Sequence, residues 1–127
     1  MSETPEAKEE VEGRYLGKVE VSLDAIATMA GKAALQCYGV VGMSSSRLTD
    51  DIAEVLQQEN YRRGVKVRSR EGSIIIDLYV VVEYGTRISE VARNIMSAVK
   101  FAVEKAIGLP VAQVNVNVQG LRISDKQ

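Results

Sequence analysis

The chain has 127 residues, a length that suits one domain able to bury about two-thirds of its unfolded surface. Its 16 basic and 17 acidic side chains leave a net charge of -1, too balanced for a dedicated nucleic-acid binder, and no apolar run reaches the roughly 18 residues of a membrane span. The single cysteine, Cys37, excludes an internal disulfide framework and suits a reducing cytoplasm; the absence of histidine removes the commonest general base and metal ligand.

Residues 1–13 hold Glu3, Glu6, Glu9, Glu10 and Glu12 against Lys8 alone. Like charge without apolar content predicts a disordered acidic tail, and an acidic start does not read as a signal peptide. A single domain is expected over 14–122, with 123–127 as a C-terminal tail. It opens near Tyr15 on a short strand carrying Val19 and Val21. Ser22 then reads as an N-cap, with Asp24 in the first turn where the helix dipole favours an anion. Val21 and Ile26 are spaced as a hydrophobic staple. The helix is expected from about Leu23 to Tyr38, with Ile26, Ala30, Ala33 and Cys37 inward and Ala27, Gly31 and Ala34 widening the stripe. Gly39 is its expected left-handed cap.

Val40, Val41 and Met43 suit a short buried strand. A serine loop over 44–46 follows, then a short helix capped by Thr49 with Ile52, Val55 and Leu56 inward. Residues 64–79 form a hairpin turning at Glu71-Gly72, which sets Val67 against Ile76, Val65 against Leu78 and Lys66 against Asp77. A one-residue slip would put Lys66 beside an apolar partner. The long strand continues through Val82, with Ile74, Ile76, Leu78, Val80 and Val82 forming one wholly apolar face. A second helix runs from about Ile88 to Ile107, with Ile88, Val91, Ile95, Val99, Ala102 and Ala106 as its stripe; Gly108 and Pro110 close it. In the last strand Val114, Val116 and Val118 alternate with Asn115, Asn117 and Gln119, so one face of the sheet is left bare of helices.

These elements compose an α/β fold of the α+β type: a two-layer sandwich, a mixed sheet with helices on one face, built around a βαβ unit over 73–118. Its bare face would carry Lys66, Arg68, Arg70, Ile75, Tyr79 and Val81, a mixed cationic and apolar surface. Phe101, the only phenylalanine, lies off the stripe of its helix and is a second candidate contact. Catalytic chemistry has little to draw on. Asp77 and Glu83 share a face but stand about 20 Å apart along the strand. Cys37 reads as a structural thiol, and Asp50 and Asp51 as first-turn capping residues. Phosphate-loop motifs are absent. Gly39-Val40-Val41-Gly42 matches the GxxG clamp of KH domains, but its apolar centre and the serines after it do not suit a phosphate backbone. No enzyme, cofactor or metal site is expected; the alternative to a protein-binding role is a nucleic-acid module using the basic hairpin 62–70.

The stretches VEVSLDAIATMAGKAALQCYGVVGM at 19–43, GVKVR at 64–68 and IIIDLYVVVEYGTRISEVARNIMSAVKFAVEKAIGLPVAQVNVNVQGL at 74–121 resemble the alkaline shock protein family, bacterial proteins tied to cell-envelope stress. Ser89 stands where a proline opens the helix in many relatives. The resemblance implies a cytoplasmic, non-enzymatic α/β domain without transferable catalytic residues. It also implies partners: the protein itself as a homo-oligomer, and a membrane-anchored member of the same family that would hold it at the cytoplasmic membrane.

Overall fold

The computed structural model describes residues 6–11, 14–45, 55–56 and 63–123, with side chains over 19–45 and 63–123. Among the described residues seven strands and two helices follow in chain order: β1 (Glu6–Val11), β2 (Arg14–Glu20), α1 (Leu23–Leu35), β3 (Val40–Ser44), β4 (Val55–Leu56), β5 (Val65–Arg70), β6 (Ser73–Glu83), α2 (Ile88–Ile107) and β7 (Val111–Arg122). The acidic segment expected as a tail contributes β1, which pairs antiparallel with β2 as a separate two-stranded ribbon. Val55 and Leu56, expected in a short helix, form β4 instead, paired antiparallel with β3; Thr49, Asp50, Asp51 and Ile52 lie outside the described residues.

β6 is the spine of the main sheet. β7 runs parallel to it along one edge, from Ile74↔Val111 to Glu83↔Arg122. The opposite edge is shared end to end, with β5 antiparallel to the first half of β6 and β3 antiparallel to Val80–Val82. The hairpin register is the expected one: Val65↔Leu78, Lys66↔Asp77 and Val67↔Ile76. Its turn residues, Glu71 and Gly72, both take positive φ, 51° and 82°, as a two-residue turn matched to strand twist requires.

Both helices lie on one face, α1 over β3 and β5 and α2 over β7. Ile74, Ile76, Leu78, Val80 and Val82 meet them there and are all essentially inaccessible. α1 starts where Ser22 Oγ accepts the Ala25 N–H at 3.0 Å. It ends at Leu35, three residues earlier than expected, and Gly39 sits in the following turn at φ 90°. A Cβ on Gly39 would lie 2.9 Å from Val91 Cγ2, so this glycine also lets the turn approach α2 closely. α2 has the expected bounds and the expected left-handed Gly108. Its buried row differs: Val91, Ile95, Val99, Val103 and Ile107 are inside, while Ile88 and Ala106 are exposed. The two rows share Val91, Ile95 and Val99; beyond them the buried row keeps a four-residue step to Val103 and Ile107, which bury more apolar surface than Ala102 and Ala106 would.

Candidate functional site

The outer face of the sheet, away from the helices, is built by β5, β6 and β7. Lys66, Arg68 and Arg70 alternate along β5 and are exposed. On β6, Tyr79 is half-buried, but Ile75 and Val81 are 7% and 4% exposed. The expected mixed surface is therefore cationic in its accessible part, with its aliphatic members shielded. Neither Ile75 nor Val81 belongs to the core packed under the helices.

Asp77 organises this face. The partner opposite it in register is Lys66, yet the ion pair is diagonal: Arg68 Nη2 lies 3.0 Å from Asp77 Oδ2, and Arg68 Nε donates to the same oxygen at 3.2 Å. Asn115 Nδ2 donates to the other oxygen, Oδ1, at 2.7 Å. One carboxylate thus ties the central strand to both neighbours. Asn117 Nδ2 adds a bond to the Leu78 carbonyl oxygen at 3.1 Å. Because Arg68 is half exposed, the ion pair contributes at most about 1 kcal/mol. Its effect is to hold the Arg68 fork in place, leaving Lys66 and Arg70 without an ion-pair partner among the described residues.

Phe101 is 66% exposed on α2, with Lys105 Nζ 5.6 Å from its ring centroid in a cation–π contact. Being on the helical layer, it lies on the opposite side of the molecule from the cations of β5. The two expected contact regions are not one site.

An apolar end of the sheet lies outside both contact regions expected from the sequence. The Tyr84 N–H donates to the Arg122 carbonyl at 2.9 Å, and the Glu83 N–H to the Gly39 carbonyl at 2.8 Å. These bonds gather Tyr38, Tyr84, Leu121 and Ile123, all exposed, at one end of the sheet. A cleft of about 430 Å³ opens there between Tyr38, Gly39, Val40, Val41, Glu83 and Thr86. The available signal was a repeated dipeptide: Tyr38-Gly39 and Tyr84-Gly85 both place a positive-φ glycine after a tyrosine.

Cys37 is partly buried, its Sγ 3.5 Å from the Ala33 carbonyl oxygen, and burial pushes its thiol pKa up. Among the described residues no group of three or more acidic or cysteine side chains could hold a metal ion, and no helix is long and apolar enough to cross a membrane.

The sequence model of the alkaline shock protein 23 family, of cell envelope-related function, matches residues 11–123. The chain belongs to this family. It is 47% identical over 110 residues to the uncharacterized protein YloU of Bacillus subtilis (strain 168), covering 86% of this chain and 92% of that protein. It is 44% identical over 108 residues to the uncharacterized protein Spy1614 of Streptococcus pyogenes serotype M6, covering 84% and 89%. Among solved structures, a copper form of the MamM CTD superposes with a TM-score of 0.49 at 19% identity, covering 83% of this chain and 92% of that one. Family membership agrees with the resemblance drawn from the DLYVVVEYG and GLPVAQVNVNVQG blocks.

Proposed function

We propose that the domain is a non-enzymatic assembly or adaptor module of the cell-envelope stress response. It works through contacts with its own copies and with a membrane-anchored member of the same family, and so sits at the cytoplasmic membrane without a span of its own. The family's envelope-related function supports the setting. The observation that carries the contact role is the exposed row Lys66, Arg68 and Arg70, a cationic face above a sheet whose apolar residues are already covered. Such a face steers an acidic partner, and the glutamate-rich residues 1–13 of another copy have the complementary charge. Phe101 on the far side supplies a second contact, and two unlike contacts on opposite sides allow copies to add head to tail. Each contact is weak alone, so avidity across many copies provides the strength.

Static light scattering over a micromolar to millimolar series tests the reading. The wild-type mass is expected to climb with concentration and with falling salt, while Lys66→Glu/Arg70→Glu stays at a lower mass. A wild type that remains monomeric throughout refutes self-association.

A further inference from the structure

We propose that β7 is a homodimerisation edge, at which two copies of this chain join antiparallel strands about a two-fold axis through Val116. The proposal rests on the self-association reading above and names a surface for it. Among the described residues β7 pairs with β6 alone, so its other edge carries no strand. Folded monomers usually blunt a long open edge with charges, proline, short length or β-bulges. β7 spans 12 residues, has no charged side chain from Val111 to Leu121 and contains no proline, and its bulges, at Ala112 and Gln119, leave the stretch between them unblunted. Its register with β6 shifts near either end, between Ile74/Ile75 and Val80/Val81, which leaves a regular run in between.

That run, Gln113 to Val118, together with Gln119 at the bulge reads identically in both directions: Gln113-Val114-Asn115-Val116-Asn117-Val118-Gln119. A two-fold axis reverses strand direction, so a palindrome meets its own copy in matched register. Val116 falls opposite Val116, Asn115 opposite Asn117, Val114 opposite Val118 and Gln113 opposite Gln119. Every pair is like with like. Valines continue the helix-side face across the joint and carboxamides continue the outer face. A slip of one residue would set valine against asparagine and turn the partner's core side outward, so the pattern specifies its register. Opposed residues alternate between pairs that exchange two backbone hydrogen bonds and pairs that exchange none. The five pairs from Val114 to Val118 therefore add about four to six such bonds, with no charge to desolvate. Because α2 lies over β7, the joint also sets the two α2 helices side by side above one continuous sheet. An isologous joint closes at two copies, leaving the cations of β5 free for further contacts.

Two variants, Asn115→Cys and Asn117→Cys, each in a Cys37→Ser background, provide the geometric test. Directly opposed residues stand about 4.5–5.5 Å apart between Cα atoms, within disulfide reach, whereas each cysteine is about 8 Å from its own copy. An oxidised equimolar mixture is expected to give disulfide dimer, and either variant alone little. The second test is Gln113→Lys/Gln119→Lys, which sets two like-charge pairs across the joint without touching the core. It is expected to raise the dimer dissociation constant about tenfold, with an unchanged circular dichroism spectrum. Lys66→Glu/Arg70→Glu is expected to keep the dimer while losing larger species. If the wild type associates but the lysine pair has no effect, or the mixture cross-links no better than its components, the β7 joint is wrong and self-association stands. A wild type monomeric at every concentration sinks both.

Discussion

Replacing Gly64 with alanine isolates a close approach on which the sheet depends. Gly64 leads into β5, and a Cβ there would lie 2.6 Å from the Ser44 carbonyl oxygen, 2.9 Å from Met43 Cβ and 3.2 Å from the Tyr79 carbonyl oxygen. Two of these neighbours are backbone atoms, and none is the far end of a flexible side chain. A carbon–oxygen contact settles near 3.3 Å, so the chain must move by about 0.7 Å at a point where β3, β5 and β6 meet. Overpacking of this kind costs about 2 kcal/mol, which outweighs the fraction of a kcal/mol gained by stiffening the unfolded chain. For a domain of this size that lowers the melting temperature by roughly 8 °C. Gly120→Ala is the matched control. Its Cβ would meet Val81 Cγ atoms at 3.9 and 4.0 Å, ordinary contact, and removing a glycine from a strand is expected to stabilise by about 0.5 kcal/mol. Thermal melts followed by circular dichroism compare the two. Gly64→Ala melting at or above wild type would refute the steric argument.

Ile95→Ala empties the centre of the buried α2 row and should cost about 2–5 kcal/mol in urea denaturation, whereas Phe101→Ala, on the exposed side, should stay within about 0.5 kcal/mol. Ser22→Ala removes the acceptor of the Ala25 N–H and should cost about 1 kcal/mol by the same measurement. The Cys37 thiol has a raised pKa in the folded state because burial disfavours the thiolate. The unfolded chain therefore loses its proton first, so stability is complete below the unfolded pKa and falls as pH rises from about 8.5 through the folded value. Cys37→Ser should flatten that alkaline fall; identical melting profiles from pH 7 to 10 would contradict it.

The hairpin and the βαβ unit were legible because their information is local. The positive-φ pair at Glu71-Gly72, the apolar alternation of Ile74, Ile76 and Leu78, and the Gly108-Pro110 stop signal each act within a few residues. Placement of β4 and the depth at which Ile75 and Val81 lie were not. Val55 and Leu56 are as apolar in a helix as in a strand, and only pairing with Met43 and Ser44 decides between them. Alternation likewise assigns Ile75 and Val81 to the outer face without saying how much of that face stays open. Lys66 stands opposite Asp77 in register, but Arg68 reaches the carboxylate, because a longer fork spans the diagonal.

By itself the sequence determined which strand side chains share a face, the register of β5 on β6 and the bounds of α2, since each depends on periodicity or turn chemistry along the chain; the family was legible as a resemblance of the DLYVVVEYG and GLPVAQVNVNVQG blocks. Only the tertiary structure decided that α2 buries its four-residue ridge, that the cations of β5 and Phe101 lie on opposite sides, and that among the described residues no strand pairs with the edge of β7 away from β6. Those facts depend on where one layer sits against another. Contacts between residues distant in sequence set that position, and a linear pattern does not encode it.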